Sequence, residues 1–148
     1  MPTYTVTTAN LALSAQQKSR LAAAITTVHH LHTGAPSYLA QVIFTELPVQ
    51  NHFIGGKPNA ISHVYVHGLI RAGRAQDVKQ ALIKDLLAQT QQITGVGSEE
   101  IWAYLQDIAA GQMAEFGRLL PPPGAEEQWR QGFSPQKLAA LKSAGISF

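Results

Sequence analysis

The stretch ISHVYVHGLIRAGR, Ile61 to Arg74, holds the handover from which the fold is read. From Ile61 to Leu69, Val64 and Val66 point to one face of an extended chain and His63, Tyr65 and His67 to the other, the two-residue period of a half-buried strand. The strand ends at Arg71. From Arg74 the period lengthens: Val78, Leu82, Leu86, Gln89 and Ile93 recur on one side of a helix, and Gly95-Val-Gly97 supplies its carboxyl-terminal stop. Ile101 to Ile108, IWAYLQDI, returns to alternation, with Ile101, Ala103 and Leu105 set against Trp102, Tyr104 and Gln106. The stretch is therefore the hinge of a βαβ unit spanning about residues 61–110.

The same order occurs about sixty residues earlier. Thr3 to Thr7 alternates threonine with Tyr4 and Val6, predicting a strand almost at the amino terminus. Ser14 and Gln17 have the spacing of a capping box, and Leu21, Ile25, Val28 and His32 follow at helical intervals up to Gly34-Ala-Pro36. Tyr38 to Glu46, YLAQVIFTE, is rich in apolar and aromatic residues and closes at Pro48, as a buried strand does. Between the halves, Gln50 to Asn59 contains Gly55-Gly56 and Lys57-Pro58 and reads as a hairpin or surface loop. The sequence thus predicts a mixed α/β (α+β) fold built as a tandem βαβ pseudo-repeat, about 2–48 and 61–110, in a single domain of residues 1–148. Pro121-Pro-Pro-Gly124 breaks any helix, and Ser134-Pro135 followed by Leu138 and Leu141 predicts a short terminal helix. The tail, about 121–148, is expected to pack outside the repeat. Element order alone does not separate a ferredoxin-like βαββαβ arrangement from other βαβ pseudo-repeats.

Composition narrows the chemistry. The 148 residues contain no cysteine, which excludes disulfides, thiolate nucleophiles and thiolate metal sites. Eleven Lys and Arg residues are scattered and the formal charge is only +2, so nucleic acid is not an expected partner. Met1-Pro-Thr-Tyr-Thr-Val lacks the basic lead and apolar run of a signal peptide, and no apolar stretch approaches the roughly 18 residues of a membrane span. The expectation is a soluble, cytoplasmic protein with no membrane partner.

Several residues could carry chemistry. Removal of Met1 before the small Pro2 would free a secondary amine, locked by its ring and with a reference pKa of about 8, suited to donating or accepting protons. Met-Pro starts are also common in proteins where they do nothing. Arg71 and Arg74 flank a strand-to-helix handover, where two guanidinium groups and helix N–H groups could converge on a carboxylate; solvated or surface-paired arginines are the competing reading. His29, His30 and His32 cluster late in the first predicted helix, but without a His-Glu-x-x-His pattern a capping or solvated cluster is expected rather than a metal site. His63 and His67 fit a strand face toward solvent or a subunit boundary. Glu115 sits among apolar residues after the fourth strand, where desolvation would raise its pKa toward that of a general base; an ion pair with Arg118 competes. Tyr104 lies on the preceding strand. Gly95-Val-Gly97 ends a helix rather than opening one, so no nucleotide site is expected.

Taken together, the amino-terminal proline, the βαβ pseudo-repeat and the stretches LAQVIF (39–44), VHGLIRAGR (66–74), IWAY (101–104) and MAEFGRLLP (113–121) resemble the tautomerase superfamily, and within it the cis-3-chloroacrylic acid dehalogenase group. The resemblance runs from Pro2 to about Gly124. It implies a four-stranded sheet with two helices on one face, a homotrimer with the sheets around a central axis, and no cofactor. By this resemblance Pro2, Tyr104 and Glu115 match catalytic positions, and His29, Arg71 and Arg74 match positions that bind the substrate carboxylate. Phe116 stands where the group has tyrosine, and the 50–60 loop differs, which bears on substrate preference. The implied reaction adds water to short unsaturated acids, including hydrolytic dehalogenation of cis-3-haloacrylates to malonate semialdehyde. Two alternatives stay open: a keto–enol tautomerase with the hydration as a side activity, and a non-catalytic carboxylate-binding oligomer in which Met1 is retained.

Overall fold

The computed structural model describes residues 2–122 and 124–146. Strand β1 (Thr3–Ala9) leads into helix α1 (Ala15–Thr33) and returns as β2 (Gln41–Glu46); after a small hairpin, β3 (Phe53–Ile54) with β4 (Lys57–Pro58), β5 (His63–Arg71) leads into α2 (Gln76–Thr94) and returns as β6 (Ile101–Ile108). The main sheet has the order β2-β1-β5-β6, with β1 parallel to β2, β1 antiparallel to β5 and β5 parallel to β6. Because β1 and β2 are neighbours, each βαβ unit closes on itself, which separates this arrangement from a ferredoxin-like sheet.

Local chemistry sets the helices. The Ser14 hydroxyl accepts from the Gln17 N–H (3.1 Å) while the Gln17 side chain accepts from the Ser14 N–H (3.0 Å), a complete capping box. Gly34 and Gly95 end α1 and α2 in the left-handed conformation (φ 66° and 76°), which costs glycine little. Both helices lie on one face of the sheet and pack on each other, so Leu21, Ile25 and Val28 of α1 and Leu82, Leu86 and Ile93 of α2 bury against Tyr4, Val6, Val64, Val66 and Ile70. Each fully buried aliphatic side chain contributes about 1.5–3 kcal/mol of transfer free energy. The opposite sheet face carries Tyr65, Trp102 and Tyr104, the last two exposed.

Three expectations need correction. Tyr38 is not in a strand: Ser37–Leu39 form a 3₁₀ turn, and β2 starts at Gln41. Nor is β2 buried, since it pairs with β1 along one edge only, and its side chains are half-buried or exposed. On the helices, His29 and Thr90 occupy the buried positions assigned to His32 and Gln89; His32 instead donates to Asp85 of α2 (2.7 Å) at the surface. Among the described residues the tail adds no side chain to the repeat's core and packs against the α1–β2 connection. The hairpin β7 (Ala114–Glu115) and β8 (Arg118–Leu119) leads to α3 (Glu126–Gln131) and α4 (Pro135–Ser143), and Leu120, Trp129, Phe133 and Leu141 form a second core with Ala35, Tyr38 and Leu39 of the α1–β2 connection. Ser134 caps α4 as expected, accepting from the Lys137 N–H. Among the described residues no helix is long and apolar enough to cross a membrane.

Candidate active site

Pro2 stands at the end of β1 that meets the carboxyl end of β5. Its carbonyl accepts from the Gln41 N–H (3.0 Å) and its ring is buried. The antiparallel register pairs Thr3 with Leu69, and one further step sets Pro2 beside Ile70, the residue before Arg71. Two residues along, Tyr4 pairs with Gly68, and its ring crosses the space a side chain would fill: a Cβ at Gly68 would lie 2.5 Å from Tyr4 Cε1. From there the Tyr4 hydroxyl reaches His29 of α1, sharing a hydrogen bond with Nδ1 at 2.8 Å. His29 is 4% exposed, and its pKa is lowered to about 3, first by burial and then by the Arg74 charge. Burial likewise pushes the Tyr4 phenol up. Both groups are therefore neutral near pH 7, and with Nδ1 engaged by Tyr4, Nε2 is the ring nitrogen of His29 that this pair leaves over.

Arg71 and Arg74 line a cleft of about 430 Å³ together with Thr33, Gly34, Pro36 and Glu126. Arg71 is buried rather than solvated: it is 4% exposed, its Nη1 donates to the Pro121 carbonyl (3.2 Å) and its Nη2 to Glu126 Oε1 (2.6 Å). Burial raises the Glu126 pKa, but hydrogen bonds from Arg71 and from backbone N–H groups outweigh it and hold the carboxyl below its usual value. Arg74 is half-buried, and its Nε has no hydrogen-bond partner; burial and then the Arg71 charge lower its pKa. An exposed-surface role does not fit either side chain.

Glu115 lies on β7, immediately before the Phe116-Gly117 turn, whose residues both take positive φ (52° and 77°). Half-buried, it lines a cleft of about 540 Å³ with Thr3, Tyr38, Gln41, Met113 and Phe116. Thr3 follows Pro2 directly, so this cleft opens at the same end of β1. The competing ion pair with Arg118 gives way to another arrangement. The Arg118 guanidinium donates to the Trp129 carbonyl (2.6 Å) and lies 5.3 Å from the centroid of the Trp129 ring.

Tyr104 is the expected site residue that this chain does not bring to the group. It projects from the outer sheet face, 54% exposed, edge-on to Tyr65 at 5.2 Å, whereas Tyr4 beside Pro2 faces the helices. Its partner in the register is His67, and β5 separates it from β1, a span of about 10 Å at the usual strand spacing.

Residues 1–132 match the family described as "Putative oxalocrotonate tautomerase enzyme". The chain belongs to this family. Among solved structures, this tautomerase family member is similar to N1, a member of the cis-3-chloroacrylic acid dehalogenase family, at 30% identity over 95% of this chain and 99% of that one, with a TM-score of 0.85. A fused 4-OT asymmetric trimer is 26% identical over 78% of this chain and 94% of that one (TM-score 0.68). A fused 4-OT symmetric trimer, 21% identical over 80% and 94%, shares the fold with a TM-score of 0.72. No curated protein matches the chain.

Three residues that shape the surroundings of Pro2, His29 and Arg71 were not singled out by the sequence. Tyr4 entered only as one residue of an alternating strand, Gly68 only within the stretch VHGLIRAGR, and Glu126 not at all. Only the Tyr4–Gly68 pairing had a signal, a glycine in the interior of a strand, which marks close approach of another group. The other histidines have structural partners: His30 Nδ1 donates to the Ala35 carbonyl (2.8 Å), and the His63 ring lies tilted against that of His52, centroids 4.6 Å apart. Among the described residues no group of three His, Asp or Glu side chains gathers as metal ligands do.

Proposed function

We propose that this tautomerase family member is an amino-terminal-proline enzyme that adds water to short unsaturated carboxylic acids and hydrolytically dehalogenates cis-3-haloacrylates to malonate semialdehyde. The observation that supports the reading is what lies near the start of β1 and the end of β5: buried Pro2, the neutral Tyr4–His29 pair, a cleft lined by Arg71 and Arg74, and a second cleft in which Glu115 of the β7–β8 hairpin faces Thr3.

In this mechanism Arg74, with Arg71 and the His29 Nε2–H, holds the substrate carboxylate and withdraws electron density from the conjugated double bond, so that C-3 becomes electrophilic. Glu115 accepts a proton from water as the water oxygen bonds to C-3, and the Pro2 ammonium delivers a proton to C-2. With chlorine on C-3, the halohydrin collapses to the aldehyde with loss of chloride and a proton. The neutrality of His29 suits a hydrogen-bond donor that adds no second charge beside Arg74. Tyr104, which faces away from Pro2 in its own chain, would assist Glu115 from a neighbouring subunit; solved fused 4-OT relatives are trimers, and we take this chain to form a homotrimer through its outer sheet face.

The keto–enol tautomerase reading uses the same cleft with Pro2 as the free amine, and the match to a family described by a tautomerase favours it. A pH profile separates the two, because hydration requires protonated Pro2 and base-catalysed tautomerisation the unprotonated form. Both depend on loss of Met1, a residue outside those described; with Met1 retained the protein is a carboxylate-binding oligomer. Mass spectrometry of the amino terminus comes first. Proton NMR of cis-3-chloroacrylate, its trans isomer and phenylenolpyruvate then tests turnover: malonate semialdehyde from the cis acid is the expected product, and no turnover by protein with a free Pro2 removes the enzyme reading for these substrates. Glu115→Gln should abolish hydration and leave most tautomerisation; equal loss of both defeats the assigned division of roles.

A further inference from the structure

The arginine cleft contains an anion supplied by the chain itself. Glu126, on the first residue of α3, reaches 55 residues back to Arg71 and holds Nη2 at 2.6 Å, while the Pro121 carbonyl holds Nη1. Glu126 lines the cleft alongside both arginines, so the pairing takes place within the cavity. Counting charges, two guanidinium groups and one carboxylate leave one net positive charge. Both arginines have an unpartnered Nε, but the two terminal nitrogens of Arg71, 4% exposed, are engaged within the chain; Arg74, half-buried and in no ion pair among the described residues, is the cation left to an incoming anion. The tail that carries Glu126 is anchored independently, through Trp129 in the second core and its indole N–H on the Leu119 carbonyl (2.7 Å).

We propose that Glu126 is a specificity-determining residue of this cleft: by neutralising Arg71 it matches the site to ligands with a single carboxylate and disfavours dicarboxylates. The inference rests on the reading above that the substrate carboxylate binds between the arginines, and it goes beyond it by naming the charge class admitted. A second carboxylate on the ligand meets Glu126 where an unmasked Arg71 would otherwise attract it.

The test is equilibrium binding of sodium acetate and sodium malonate to the full chain at constant ionic strength, followed by NMR of the arginine Nε–H groups. Wild-type protein should bind malonate no more tightly than acetate. Since Coulomb energy is linear in ligand charge, removing the Glu126 charge should help the dianion by about the square of its help to the monoanion: about fivefold for acetate and about twenty-five-fold for malonate in Glu126→Gln. Glu126→Asp keeps the charge and loses the contact, and should keep the wild-type order of preference. The proposal is overturned if wild-type protein binds malonate tenfold or more tightly than acetate, a result that needs no variant. It is equally overturned if Glu126→Gln gains the same factor for both anions or for neither, or if Glu126→Asp behaves like Glu126→Gln. Failure here is distinct from failure of the catalytic reading. Acetate binding at these arginines without turnover of any acid removes the enzyme and leaves the charge selection standing, whereas turnover with equal gains for both anions does the reverse.

Discussion

Lowering the pH from 7 to 4 should cost the folded protein about 3 kcal/mol through His29 alone. In the unfolded chain the imidazole takes a proton below about 6.5, whereas in the fold burial and the Arg74 charge defer protonation to about 3. Between these values the unfolded state binds the extra proton, so stability is intact above 6.5 and is lost as pH falls, at about 1.4 kcal/mol per unit. The 2.5 units between 6.5 and 4 give the figure quoted. Urea unfolding of wild type and His29→Gln, at pH 7 and pH 4 and at one protein concentration, isolates the term. Carboxylates and the also-depressed His63 titrate in both proteins and cancel in the difference. Wild type should lose about 3 kcal/mol more than His29→Gln over this range. Parallel losses in the two proteins, or a His29 ring that titrates near 6.5 by NMR, would refute the claim that the imidazole is held neutral by burial.

Three further outcomes follow from the same packing. Gly68→Ala puts a methyl group 2.5 Å from Tyr4 Cε1 and 2.7 Å from Leu105 Cδ2, so the Tyr4 ring must move; a loss of about 1–3 kcal/mol in urea unfolding is expected. Tyr4→Phe keeps the ring but strands the buried His29 Nδ1, for about 1–3 kcal/mol, and the double variant should lose less than the sum, since both changes act on one hydrogen bond. Trp129→Ala removes the centre of the second core and a hydrogen bond to Leu119, about 3–5 kcal/mol, and should speed amide exchange in α3 and the β7–β8 hairpin while leaving β5 protected.

The sheet and its helices were readable because their signals are local. β1 and β5 bury one face and β6 alternates half-buried with exposed side chains, so the two-residue period survives in the sequence, and the Ser14–Gln17 box and the Gly34 and Gly95 stops depend on residues within a few positions of each other. β2 misled because LAQVIF is apolar enough for a central strand, yet in this chain it is an edge with a partner on one side. α3 was missed for the opposite reason. Its six residues, EEQWRQ, contain a single apolar side chain, and Trp129 is buried only because Phe133, Leu120 and Tyr38 come to it from three other segments.

For the site, the residue types were readable and their connections were not. The spacing of Arg71 and Arg74 points to an anion, but nothing within fifty residues of Arg71 announces that Glu126 already holds it. The decisive connection is the register of β1 on β5. Val6 opposite Val66 keeps both valines in the core, and that pairing fixes Tyr4 over Gly68 and Pro2 beside Ile70. A slip of one residue would turn Thr3 and Thr5 toward the helices and Tyr4 away from them, because successive strand side chains face opposite sides. His29 would lose its partner, and Pro2 would move by about 3.3 Å, one strand residue, along the end of β5. The hydrophobic pattern that folds the sheet and the geometry that assembles the cleft are therefore one constraint, and a core substitution at Val6 or Val66 that loosens the register should disturb His29 before it unfolds the protein.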